Sequence, residues 1–571
     1  MPISDVLPEI AVLVTAVLVL LWVSFTGRKQ QWIGAPLSLT GLAVSCLLCI
    51  AQVGTARLTF HGTWAIDGAS VWAPRILILA ATAFTVLLAP AWFRTDRRHG
   101  EYYAMLLLSA LGAMALAGAA NLLQLLIGML LSSVTGYVLA AYHRDWALSV
   151  EAGMKYFLIG ALASAVLAIG IPLRIAMLDG SGYTEIAVSL RTHQASPLVL
   201  LGTALTVIGI GFKLAAVPAH GWMPDVAEGA PVPSAAFLTV VPKIGAAVAL
   251  ARFVGLFPPE AVAIRPLVAI LAFATMTLGN LAALWQEDVR RLLGWSSVSQ
   301  SGYALMAVCV VGLSDMALSA LLVFLAAYSA ANLAAFAFVA HLRGRTERAS
   351  YSGLGAARPA AAAALVIALL SLVGIPPLAG FFGKFMLFAA TIGAGYAWLA
   401  VAAVANTVLS LFYYLRVIAP VYFAPQSIAV AVLSRWTVVA AAPGTLAIIG
   451  FGIAVDGPFS AFERTTMLPW RVNQAGAASF APPNGSRSVS KTVAQKKDRA
   501  MTDRQDQAGL TSQAQISTCQ SRIWRSAYTD EGLDETDRRF ASRAVRRRGV
   551  QPFRSAGEHH GIGQDKGVLD V

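Results

Sequence analysis

Three lysines stand inside long apolar runs: Lys213 in GIGFKLAAVPAHGW, Lys243 in LTVVPKIGAAVAL and Lys384 in AGFFGKFMLF. A charged side chain at bilayer depth is costly, so it marks a path for ions or protons unless it snorkels to the interface. Burial disfavours the ammonium form, and a neighbouring charge tips that balance either way. A buried lysine can therefore hold a proton in one state and release it in another. Lys213 is followed by Pro218, and Lys384 is preceded by Pro376 and Pro377. A proline removes a backbone donor, which in a membrane is tolerated only against protein or a water-lined cavity. Lysine beside helix break, found twice, points to a hydrated intramembrane path.

Other polar residues extend this candidate set. His220 follows the first break, and its imidazole could relay protons between Lys213 and Lys243. Lys155 lies four residues after Glu151 in EAGMKYF, the favoured order for a helical ion pair. Asp225 and Glu228, in WMPDVAEGAP, are expected in the turn after His220, capping the next helix or lining an entrance to the path. Ser296, Ser297, Ser299, Gln300 and Ser301 read as a polar helix start able to cap or to hold water, while Tyr328, Asn332 and Asn406 read as interhelical hydrogen-bonding residues.

These groups need helices to position them. The 571 residues are 57% hydrophobic and 12% charged, against about a quarter charged in soluble domains, and mean hydropathy is +0.68. The chain is an all-α polytopic membrane protein. Runs long enough to span a bilayer lie near 8–26, 33–53, 69–92, 103–120, 122–141, 153–177, 197–218, 231–254, 264–285, 296–313, 316–341, 360–391, 396–423 and 431–455, about fourteen helices. The first run has no basic region before it and reads as a retained helix rather than a cleaved signal.

Charge orients the bundle. One side collects Arg28, Lys29, Arg94, Arg97, Arg98, Arg144, Arg290, Arg291, Arg343, Arg345, Arg348 and Arg435, and the other has little beyond Arg57, Arg191 and Arg265. The positive-inside rule puts the N-terminus on the periplasmic side of a bacterial cytoplasmic (inner) membrane. The formal charge of +13 is thus orientation and tail, not a nucleic-acid footprint. Cys46 and Cys49 form a C-x-x-C inside an apolar helix and read as small hydrophobes. Residues 471–571 turn polar and basic, cannot bury a core, and are expected to be disordered. There is no dinucleotide fingerprint, phosphate loop, metal-spaced cluster or haem-type histidine pair, so no catalytic redox centre is expected in this chain.

Several stretches carry a resemblance. GFKLAAVPAHGWMPDVAEGAPVPSAAFLTVVPK, RRLLGWSSVSQSGYALM, SLVGIPPLAGFFGKF and LSLFYYLRVIAPVYF resemble subunit N of bacterial respiratory complex I, the proton-translocating NADH-quinone oxidoreductase. The match spans about residues 1–464. The resemblance implies three N-terminal helices over 1–102, two inverted five-helix repeats over 103–254 and 255–423 with helices seven and twelve broken, and a C-terminal helix over 424–470. It implies that Lys213 is the central lysine of helix seven, Lys243 the connecting lysine of helix eight, His220 the bridge between them, Lys384 the exit lysine, and Lys155 the lysine at the start of helix six.

It also implies that NADH, FMN, iron–sulfur clusters and quinone belong to partner subunits. The implied partners are the antiporter-like subunit M, the small K and J subunits, and membrane lipid. One departure stands out: the family usually carries an acidic pair in helix five, where this chain has Asn121 and Leu130. Gln300 likewise stands where a histidine is common. Without the carboxylate at position 130, coupling through Lys213 is expected to be weakened or rewired. The alternatives are a subunit of an Mrp-like cation/proton antiporter or membrane hydrogenase, and a structural paralogue that no longer pumps.

Overall fold

The chain's break residues divide its apolar runs into helices that pack around two central ones. A computed structural model describes residues 3–93, 99–176, 180–192, 196–258, 264–342, 346–425 and 435–454, with Phe462, Thr465 and Met467 beyond. The polar stretch 471–571 with Cys519, and the loop arginines Arg94, Arg97, Arg98, Arg343 and Arg345, lie outside the described residues.

In chain order the helices are α1 (Leu7–Phe25), α2 (Gly34–Ala51), α3 (Ile76–Trp92), α4 (Gly100–Gly118), α5 (Leu122–Ala140), α6 (Ala147–Ile175), α7 (Tyr183–Thr192), α8 (Pro197–Leu214) and α9 (Trp222–Gly229). There follow α10 (Val232–Gly255), α11 (Ile264–Leu284), α12 (Val289–Val310), α13 (Ala317–His341), α14 (Leu354–Ala357), α15 (Pro359–Val373), α16 (Ala379–Gly393), α17 (Ala397–Phe423) and α18 (Arg435–Ile453). The fold is all-α save for one small hairpin, β1 (Arg57–Thr59) paired antiparallel with β2 (Trp64–Ile66), which the apolar periodicity did not announce. Every residue in the apolar window of α10 is buried, and α13 is nearly as enclosed. Helices α1, α2 and α17 instead expose apolar side chains along one flank, as lipid-facing helices do.

Among the described residues, ten helices are long and apolar enough to cross a membrane, fewer than the fourteen expected. The difference falls on α3, α12, the α15–α16 pair and α18. Two of these follow from their own sequence. The run 360–391 is cut at Gly374, which sits at φ +96°, a left-handed conformation that ends α15. Helix α12 is long enough, but its serines and Gln300 lower its apolarity.

Both broken helices part where expected. Helix α8 ends on left-handed Ala215 (φ +56°), α9 resumes at Trp222, and a cis Val217–Pro218 bond lies between. Gly374 and a cis Pro376–Pro377 bond separate α15 from α16.

The two halves share further features. Gly112 of α4 lies so close to α5 that a Cβ there would be 2.4 Å from the Ser132 backbone nitrogen, and Gly279 of α11 meets Ser299 of α12 at 2.5 Å. Asn121 caps α5 and bridges to Gly182, while Asp288 caps α12 and bridges to Glu347. The same small-residue crossing and the same capped, bridged entry thus occur once in each half.

Asp288 corrects one expectation. Helix α12 begins at Val289, so the serines at 296–301 lie mid-helix and do not cap it. Asp225 and Glu228 likewise lie on the short helix α9 rather than in a turn; Pro224 is tolerated because it falls in that helix's first turn.

Candidate proton pathway

Each lysine ammonium is buried and meets a different kind of acceptor. Lys213, in the last turn of α8, is wholly enclosed; its Nζ donates to the Tyr156 hydroxyl of α6 at 3.1 Å and faces the Tyr156 and Phe212 rings. No described carboxylate pairs with it. Leu130, where the family's acid was expected, is 42% exposed on the outer face of α5. Trp222 stacks on Tyr156 with ring centroids 4.1 Å apart and donates its Nε1–H to the Phe212 carbonyl at 3.1 Å. The break thus brings an indole back over the end of α8, where its N–H shares the Phe212 carbonyl with the Ala215 N–H.

Lys243, midway along α10, has three oxygens. Its Nζ donates to the Ser297 carbonyl, to the Ser297 hydroxyl at 2.7 Å and to the Ser301 hydroxyl at 2.7 Å, all on α12. The Ser297 hydroxyl lies 2.7 Å from Tyr328 Oη, which donates to the Thr239 carbonyl at 2.8 Å, and Asn332 Nδ2 donates to Thr239 Oγ1 at 2.7 Å. Ser301 also donates to the Leu214 carbonyl, the peptide next to Lys213. A polar chain therefore runs from Lys243 through Ser301 to the end of α8.

Lys384, on α16, reaches back across its break. Its Nζ donates to the Leu372 and Val373 carbonyls at 3.0 Å each and sits 4.3 Å from the Tyr303 ring centroid. These carbonyls end α15, where the helix dipole is negative and intrahelical donors are missing. Gln300 of α12 donates to the same Leu372 carbonyl at 3.0 Å. The polar face of α12, carrying Ser297, Gln300 and Ser301, so touches the surroundings of all three lysines.

The remaining predicted residues fall into two places. Glu151 and Lys155 form their ion pair at 2.7 Å, and Lys155 also reaches Asp225 at 3.0 Å. Arg291 Nη1 meets Asp225 at 2.7 Å and Glu228 at 2.6 Å. This partly exposed cluster ties α6, α9 and α12 together. Arg291 and buried Arg290, read from sequence as loop charges, belong to the first turn of α12, and Arg290 binds the Ala227 and Ala230 carbonyls.

His220 is not brought between Lys213 and Lys243 by any hydrogen bond among the described residues. Its ring packs on Trp295 at 5.7 Å, and Ser301 occupies the linking position. Cys46, Cys49 and Cys309 are free.

Sequence reasoning missed Tyr156, Ser301 as a link, Arg291 as a clamp, and three arginines hidden in apolar runs. Arg252 holds Asp67 through bonds of 2.7 and 2.5 Å, Arg75 holds Glu9 at 2.7 Å, and Arg174 lies over the Phe253 and Phe257 rings. The signal for Tyr156 was its place beside Lys155 on the helix that already carried a charge pair.

Comparisons with known proteins agree with this geometry. Residues 119–410 match the family described as NADH:quinone oxidoreductase/Mrp antiporter, TM. An NADH-quinone oxidoreductase subunit N from Mycobacterium sp. (strain JLS) is 43% identical over 404 residues, 71% of this chain and 85% of the relative. A chain of respiratory complex I from Thermus thermophilus with bound aureothin superposes with a TM-score of 0.69 at 30% identity, covering 80% of this chain and 99% of that one. A chain of the Mrp complex from Dietzia sp. DQ12-45-1b, at 20% identity and TM-score 0.69 over 81% and 97% of the two chains, shares the fold. This chain belongs to the NADH-quinone oxidoreductase subunit N family, within the wider NADH:quinone oxidoreductase/Mrp antiporter membrane family.

Proposed function

We propose that this chain is the proton-translocating membrane subunit of a bacterial NADH-quinone oxidoreductase and carries protons along Lys213, Lys243 and Lys384. The observation that carries the reading is the polar face of α12, which contacts Lys243 directly and reaches the end of α8 and the Lys384 acceptor Leu372. Quinone reduction elsewhere in the complex shifts charge along this axis, and each lysine exchanges its proton as its neighbour's charge changes. The chain itself is a non-redox subunit; NADH, FMN, iron–sulfur clusters and quinone belong to partner subunits.

In the same reading α3, α12, the α15–α16 pair and α18 join the ten long apolar helices as membrane spans, making fourteen. The two repeats then run in opposite senses over 103–254 and 255–423, and the N-terminus faces the periplasm of the inner membrane. Partners are the other membrane subunits, among them M, K and J, and lipid. The cluster of Glu151, Lys155, Asp225 and Glu228 lies at the cytoplasmic end, where it borders the entrance. His220 beside Trp295 is a second contributor there.

A second reading, a paralogue that fills the position without pumping, is favoured by one observation: Lys213 has a phenol where a carboxylate was expected. Proton yield per NADH oxidised separates the two. The assay uses inverted vesicles whose only subunit-N-like protein is this chain, comparing it with Lys213→Ala at matched assembly. The proposal expects the substitution to lower the yield; an unchanged yield from an assembled complex contradicts it.

A further inference from the structure

The Ser301 hydroxyl meets three groups at once. Its oxygen accepts from Lys243 Nζ at 2.7 Å, and its proton faces the Leu214 carbonyl and, at 3.0 Å, the Ser297 carbonyl one turn back on α12. A serine hydroxyl has one proton and two lone pairs. Here the proton is committed to peptide carbonyls, which accept a hydrogen bond but do not pass a proton on. In this arrangement no proton passes between Lys213 and Lys243 through Ser301, although the hydroxyl touches the peptide beside Lys213.

We propose that Ser301 is the gate between Lys213 and Lys243, closed while the Leu214 carbonyl holds its hydroxyl and open when that proton turns to the amine of Lys243 and Oγ accepts from a water beside Lys213. The proposal rests on the proton-translocation reading above. In the open state one Nζ–H bond of the Lys213 ammonium breaks as the water takes its proton, and the water gives a proton to Ser301 Oγ. The proton originally on Oγ passes to the neutral amine of Lys243. Lys213 ends neutral, Lys243 ends as an ammonium, and the serine is unchanged.

The helix break supplies the lever. Leu214 is the last residue of α8, directly before left-handed Ala215, so a shift of the break draws its carbonyl off the hydroxyl. The Ser297 carbonyl is then a resting place within α12 itself, the familiar back-bond to the preceding turn. Ser301 is a positioning and relay residue that the lysine pattern alone did not mark.

The test uses the assembled complex in inverted vesicles and reads protons moved per NADH in Ser301→Ala, Ser301→Thr and Lys213→Ala. Ser301→Ala removes one buried atom group and is expected to lose as much yield as Lys213→Ala. Ser301→Thr keeps a hydroxyl and is expected to restore most of that loss, which a merely structural role would not predict. Should the alanine variant fail to assemble, Ser301→Cys stands in with the same expectation, because a thiol is a weak donor and acceptor. A wild-type yield in Ser301→Ala, with Lys213→Ala impaired, overturns the gate and leaves the pathway standing. Equal losses in the alanine and threonine variants also overturn it, since the hydroxyl would then not be what matters. An unimpaired Lys213→Ala overturns the underlying proton reading and the gate together.

Discussion

The two broken helices solve one problem in opposite ways. At the first, the lysine precedes the break and leaves the carbonyls at the end of its helix to others: Trp222 and the Ala215 N–H share Phe212, and Ser301 takes Leu214. Lys213 itself keeps a single described hydrogen bond, to Tyr156. At the second, the lysine follows the break and turns back to the carbonyls of Val373 and of Leu372, the latter shared with Gln300. Lys384 is thus part of what closes the end of α15, while Lys213 is spared that duty. The difference teaches that one charge is built into the helix break and the other is only housed beside it.

This contrast can be tested by removing each charge. Lys384→Met leaves the Val373 carbonyl unpaired while Gln300 still serves Leu372, and is expected to cost about 1–3 kcal/mol. Lys213→Met leaves one phenol and is expected to be near neutral for stability, as buried charges replaced by apolar groups often are. Thermal dissociation of the assembled complex reads both, and equal losses would erase the distinction.

The backbone gives a smaller effect of opposite sign. Gly374→Ala forces a side chain into φ +96° and sets its Cβ 3.2 Å from Lys384 Cδ, for an expected loss of about 1–2 kcal/mol. Ala215→Gly relieves a left-handed alanine at φ +56° but adds unfolded-state freedom, so it should stabilise by only about 0.5 kcal/mol. The same dissociation midpoints check the two signs.

The smallest effect concerns the clamp on the first break. Arg291→Ala frees Asp225 and Glu228, but the pair is partly exposed, so the loss should stay below about 1 kcal/mol. Its midpoint deficit should shrink further in high salt. A large, salt-independent deficit would show that α9 depends on this clamp more than its exposure allows.

The three lysines were legible because charge is rare in apolar runs, and the two breaks because proline and glycine announce themselves. Tyr156 was not, and Ser297 and Ser301 were marked as polar but not as acceptors of Lys243, since hydroxyls are common in helices and their role shows only once the facing helix is known. Tyr328, read as an interhelical hydrogen-bonding residue, makes such bonds to Ser297 and the Thr239 carbonyl, and they place it in the Lys243 surroundings. Arg75, Arg174 and Arg252 stayed hidden because each falls within an apolar stretch, and their partners Glu9 and Asp67 lie far away in sequence. Residues 296–301 misled as a helix start because polar residues usually mark caps; here the true cap, Asp288, lies eight residues before Ser296.

The central claim is that Lys213 takes part in proton movement with the Tyr156 hydroxyl as its hydrogen-bond partner. A double-mutant cycle on proton yield tests it most directly, with Lys213→Ala, Tyr156→Phe and the pair compared at matched assembly. The account predicts that Tyr156→Phe lowers the yield and that the double variant is no worse than Lys213→Ala alone, because both changes break one unit. Independent, additive losses, or a Tyr156→Phe complex that pumps as well as the unmodified one, would contradict it.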